Sequence, residues 1–198
     1  VEAPAGGSVI LAGMLLKMGG YGIIRFCLIL FPDASQFFAP YIAILSVIAI
    51  IWTSLIALSQ TDIKKVIAYS SIAHMGIVTL GIFTFKPDAL IGAIIHMISH
   101  GLVSAALFFC ICMLYDRFHT RNIEDYGGLV KIMPEFCVIF VIVAFAAIGL
   151  PLTSGFVGEI LVLISTFAVR PVLTGCACLG MVLSAAYMLK LAHRIFYG

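Results

Sequence analysis

Charge is what this sequence has least of. Acidic and basic residues make up 10% of its 198 positions, and the mean hydropathy is +1.22. Soluble domains carry about 25% charged residues, so a water-soluble fold is excluded and the chain reads as an integral membrane protein. No run of Lys and Arg stands out from a net charge of +2, which removes the electrostatic footprint of a nucleic-acid partner. Paired cysteine spacing is also lacking. Cys27, Cys110, Cys112, Cys137, Cys176 and Cys178 contain no CxxC pair, and they are expected to be small apolar core residues, neither a disulfide framework nor a metal site. The first residue is Val1, and no signal peptide stands before the first apolar stretch. The expectation is that the amino-terminal part is processed, encoded elsewhere, or outside this sequence. With no low-complexity segment and no polar domain, residues 1–198 are read as a single membrane domain.

What is present is apolar. Six stretches, near 8–31, 38–59, 63–84, 89–115, 135–167 and 171–196, are each long enough for a hydrocarbon core of about 30 Å. The connections FPDASQFFAP, SQTD, TFKPDA and VRP are short and carry turn residues; the longest and most charged is DRFHTRNIEDYGGLVKIMP, Asp116–Pro134. Asp62 is expected to cap the helix that follows it. Loops on the side of the first residue, with the end of the last span, hold Lys64, Lys65, Arg117, Arg121, Lys131, Lys190 and Arg194. The other side holds Arg25, Lys86 and Arg170. The positive-inside rule places the first side inside, in a cytoplasm or a mitochondrial matrix.

The fifth stretch is interrupted. In AAIGLPLTSGFVGEILVLISTF, Gly149, Pro151 and Gly155 break the apolar run and Glu159 follows. Proline removes a backbone donor and clashes with the preceding turn, so a helix break is expected near 149–155. Broken backbone at membrane depth is tolerated only inside protein or beside a wet cavity. A buried acid next to it points to an ion path, since intramembrane ionisable groups are costly and usually functional.

Glu159 has company at its depth. At about 1.5 Å per residue, Lys17 lies roughly 14 Å into the first span, and His74 and His100 each about 16 Å into the third and fourth. Lysine, histidine and glutamate all exchange protons, and histidine titrates near about 6.5 with two distinct nitrogens. A hydrated polar axis parallel to the membrane plane accommodates all four. His74 has Ser70 and Ser71 one turn before it, and a packed polar residue remains its alternative. His96 and His100 share a helix face at four-residue spacing, which suits metal or haem ligation or two separate helix–helix hydrogen bonds. No second HxxxH or Cys/His cluster accompanies them, so no metal and no bound cofactor is expected.

The strings VEAPAGGSVILAGMLLKMGGYGIIRF, QTDIKKVIAYSSIAHMG, MISHGLVSAALFFCICMLYDRFHTR, YGGL and SGFVGEILVL together resemble the subunit 4 family of NADH dehydrogenase, the antiporter-like proton-pumping subunits of respiratory complex I. The resemblance runs over essentially the whole chain. It implies fourteen transmembrane helices in two inverted repeats of five, each with an interrupted helix, of which this chain resembles helices eight to thirteen: the second repeat and the last helix of the first. It also implies that Lys17, His74 and His100 are axis residues and Glu159 the terminal carboxylate, with His96 outside the relay. The family's first-repeat glutamate and its partner lysine would lie upstream of Val1.

The function expected is therefore proton translocation by a non-redox subunit of NADH:ubiquinone oxidoreductase, driven by electron transfer elsewhere. NADH, FMN, iron–sulfur clusters and ubiquinone would be held by other subunits. Expected partners are other membrane-arm subunits, antiporter-like neighbours, lipids, and a separate chain supplying helices one to seven if the gene is split. The mitochondrial inner membrane is the expected location, with a bacterial plasma membrane as the alternative. A Na⁺/H⁺ antiporter subunit of the multi-subunit type and a structural or haem-bearing membrane subunit are the rival readings.

Overall fold

A computed structural model of the chain describes residues 5–198. Among the described residues five helices are long and apolar enough to cross a membrane: α1 (Gly6–Leu30), α2 (Pro32–Ser59), α3 (Ile63–Ile82), α4 (Pro87–Phe118) and α8 (Pro171–Tyr197). Between α4 and α8 come the short α5 (Leu129–Ile132) and two apolar half-helices, α6 (Pro134–Ile148) and α7 (Ser154–Phe167). At about 1.5 Å per residue each half-helix is about 21–23 Å long, so only the pair spans a bilayer. The outward surface is apolar: Leu15, Trp52, Ile98, Leu102 and Val172 are all exposed. Such a surface is stable in lipid and aggregates in water.

Several boundaries differ from the sequence reading. The second span begins at Pro32, so FPDASQFFAP is almost wholly helical and the chain turns only at Phe31. Pro32 at the first helical position and Asp33 in the first turn are start signals that outweigh Pro40 inside the helix. Cys27 and Cys178 lie exposed on the apolar surface; of the six cysteines Cys110 and Cys137 are the buried ones. Lys64, expected at the inside surface, is buried.

At the inside end, Asp62 caps α3 by accepting hydrogen bonds from the amides of Lys64 (2.8 Å) and Lys65 (3.2 Å). An antiparallel bridge between Asp62 and Asn122, with Ile63 N donating to Arg121 O and Ile123 N to Thr61 O, pins the long charged loop over this helix start.

Two apolar clusters divide the interior by depth. The inside half is built on residues such as Ile67, Leu114, Phe140 and Leu191, and the outer half on Ile50, Leu80, Ala93 and Val162. The polar groups His74, His96, His100 and Glu159 are buried between them. This sandwich keeps the polar layer at the membrane middle, where burying it is favourable only if its members satisfy one another.

Candidate functional site

The break in the fifth span sets the position of Glu159. Gly149 (φ 75°) ends α6 in the left-handed conformation, its amide bonding to Ala146 O and that of Leu150 to Phe145 O, both at 3.3 Å. This is a Schellman stop, which a residue with a side chain adopts only under strain. Pro151 and Leu152 form the turn, and α7 restarts at Ser154. Gly155, expected within the break, lies in the first turn of α7. Its missing side chain matters because a Cβ there would meet Ala146 O at 3.2 Å. The returning half-helix therefore packs closely on the end of the departing one.

Close packing then fixes the carboxylate. A Cβ on Gly149 would fall 2.5 Å from Glu159 Oε2, and one on Gly158 would fall 2.7 Å from the backbone nitrogen of His96. α7 thus lies directly on α4, the most extensive helix pair of the fold. Gly158→Ala is expected to force these backbones apart and to destabilise the chain by about 1–3 kcal/mol, the usual penalty of overpacking. A lower yield of the assembled membrane complex on native gels would register the loss. An unchanged yield would show that α4 and α7 can separate freely.

Four helices contribute to one chain of groups. Lys17 Nζ lies 2.7 Å from His100 Nδ1 and also donates to the Ala12 carbonyl. An ammonium donating to Nδ1 leaves the imidazole proton on Nε2, which fixes the tautomer. Lys17 reaches this position because Gly13 and Ala105 let α1 approach α4. It also sits between two π-helical turns, Leu11–Leu15 and Ile23–Cys27, a distortion frequent at functional sites. The ring of His100 is 5.2 Å from that of His74, centroid to centroid. His74 Nδ1 lies 3.2 Å from Glu159 Oε1.

All four predicted residues are therefore brought together, in the order Lys17, His100, His74, Glu159. A fifth, His96, was expected to stand outside the relay. Its Nε2 is 3.8 Å from the same carboxylate oxygen and its ring 5.4 Å from that of His74. The three imidazoles form a triangle, two of them, His74 and His96, facing one carboxylate. The sequence signal was Gly158, the small residue before the acid, which admits α4 at His96.

His96 Nδ1 and Nε2, His74 Nδ1 and Glu159 Oε2 are buried without a hydrogen bond of normal geometry. A cavity of about 10 Å³ touches His74, His96, His100 and Glu159, and a second of the same size touches His74, Glu159, Ser184 and Tyr187. Each is about the size that admits one water, which would bridge the unpaired atoms. His74, His96 and Glu159 also offer three ligand atoms within 4.8 Å of one another, a donor set that fits a divalent metal. The contact of Lys17 with His100 at the other end of the row is one that metal ligation does not require.

Residues 1–185 match the family described as NADH:quinone oxidoreductase/Mrp antiporter, TM. The chain is 56% identical over its whole length to NADH-ubiquinone oxidoreductase chain 4 of Chondrus crispus, and 54% identical to NADH-quinone oxidoreductase subunit M of Rickettsia prowazekii. It spans 40% of the length of each of these relatives. Among solved structures, respiratory complex I from Thermus thermophilus with bound NADH superposes with a TM-score of 0.90 at 30% identity, over 93% of this chain and 39% of the matched one.

Proposed function

The chain belongs to the NADH:quinone oxidoreductase/Mrp antiporter transmembrane family, and on that premise we propose that it carries protons along the membrane middle as part of a respiratory NADH:quinone oxidoreductase. The observation that carries this reading is the unbroken row from Lys17 through His100 and His74 to Glu159. Each member can hold or release a proton, and each neighbour lies within a direct contact or one bridging water. A proton leaving Lys17 would move to His100, then His74, and rest on Glu159. His96 would stabilise the loaded and unloaded carboxylate in turn.

Lys17 is half-buried and lines a wide apolar groove between α1 and α4, of about 940 Å³. Groups from outside this chain would hand protons to it there. No redox chemistry is assigned to these residues; NADH, flavin, iron–sulfur and quinone chemistry would belong to other subunits of the complex. Both mitochondrial and bacterial relatives fit the sequence, and the reading favours the mitochondrial inner membrane.

The rival within the family is sodium–proton exchange. The two separate in vesicles containing the assembled complex: NADH-driven acidification should persist unchanged when sodium is replaced by choline. Transport that stops without sodium would overturn the proposal.

A further inference from the structure

Tyr187 lines two cavities at once. On one side it meets the 10 Å³ cavity shared with His74, Glu159 and Ser184. On the other it meets a cavity of about 100 Å³, bounded by Ser59, Gln60, Glu124, Lys190 and Arg194. Every one of those five residues lies at the inside end of its helix or in an inside loop, and all but Gln60 are exposed. At this size the larger cavity holds several waters, so it is a wet vestibule opening on the inside face. Tyr187 itself is 2% exposed, and its hydroxyl is buried without a hydrogen bond of normal geometry.

A tyrosine whose hydroxyl has Ser70 beside it but no hydrogen bond of normal geometry is an expensive filler for a membrane interior. Phenylalanine would fill the same space without the desolvation cost of the hydroxyl. The polar groups along this side of the path are aligned: Ser184 lies one turn before Tyr187 on α8, and Lys190 three residues after it. One face of α8 thus runs from the charged inside rim, past the tyrosine, to the midplane carboxylate.

We propose that Tyr187 is the gate of a water path joining the inside face to Glu159, closed in this structure by its ring and bridged by its hydroxyl. The inference rests on the proton-carrying reading of Glu159. A proton arriving from a vestibule water binds the phenol oxygen as the phenol's own proton leaves to the water beside Glu159. No net charge remains on the tyrosine. Glu159 then has two connections, sideways to His74 and inward through Tyr187. Tyr187 thus plugs the water path with its ring and hands protons across it with its hydroxyl.

The test uses the assembled complex in inside-out vesicles. Ser184→Cys places a thiol behind the gate, where a small cationic methanethiosulfonate applied to the inside face should react slowly while Tyr187 is present. Adding Tyr187→Ala should raise that rate by about tenfold or more, with no increase for reagent applied to the outer face in vesicles of the opposite orientation. Peptide mass spectrometry separates this site from the native cysteines. Tyr187→Phe should keep labelling slow yet slow proton transfer along this path by up to about tenfold, the weight of one well-placed hydrogen bond, read as a fall in the proton-to-electron ratio. Equal labelling with and without Tyr187→Ala would overturn the gate, and full coupling in Tyr187→Phe would overturn the role of the hydroxyl. If Glu159→Gln leaves transport intact, the function proposed above falls, and the labelling result alone decides the path.

Discussion

Glu159→Gln is expected to stop proton transport through this chain while leaving assembly in place. The side chain is 2% exposed and packed so tightly against Gly149 that even a methyl group there would collide with it. Glutamine has the same shape and so keeps that packing. What it loses is the carboxylate that faces His74 Nδ1 at 3.2 Å and His96 Nε2 at 3.8 Å. An amide neither accepts a proton at neutral pH nor balances an imidazolium beside it. Loss of a positioned proton acceptor costs about 10²–10⁴ in rate, enough to silence one transport path. The measurement is the proton-to-electron ratio in vesicles, with quinone reduction followed in parallel. An unchanged ratio in an assembled variant would remove Glu159 from the path.

The second large effect is expected at Lys17, where two substitutions separate two roles. Lys17→Met preserves the aliphatic stem and removes the donor to His100 Nδ1 and Ala12 O. His100 then loses the contact that fixes its tautomer, and transport should fall by about 10²-fold or more. Lys17→Arg keeps a charge in place, but guanidinium does not release its proton in proteins. Arginine should therefore fail nearly as badly if Lys17 exchanges protons. Transport close to normal in Lys17→Arg would mean that the lysine acts only as a fixed charge.

Much of this site was legible in the sequence because the membrane makes polar residues conspicuous. Lys17, His74, His100 and Glu159 sit deep in apolar runs, and a rise of about 1.5 Å per residue places them at one depth. The helix break was legible for the same reason, since Gly-Leu-Pro cannot continue a helix. His96 and Tyr187 were not. At four-residue spacing His96 and His100 could serve two different neighbours, and only the approach of α7 at Gly158 decides that His96 shares Glu159. Tyr187 reads as one aromatic in an apolar helix until the two cavities on either side of it are known. The burial of Lys64 and the bridge between Asp62 and Asn122, some sixty residues apart, were not legible either, because both arise from contacts distant in sequence.

The glycine contact between α4 and α7 has a mechanical consequence. A Cβ on Gly92 would meet Gly158 O at 3.0 Å, and one on Gly158 would meet His96 N at 2.7 Å. Two backbones meshed this closely cannot slip past each other by a fraction of a turn, so α4 and α7 move as one piece. That piece carries His96, His100 and Glu159, whereas Lys17 rides on α1 and His74 on α3. Every joint of the row therefore crosses from this piece to another helix: Lys17 to His100 on the side of α1, and His100 to His74 and His74 to Glu159 on the side of α3. They are the clutch plates of the chain: a shift of α1 by about an ångström disengages the first joint alone, and a shift of α3 loosens the other two together.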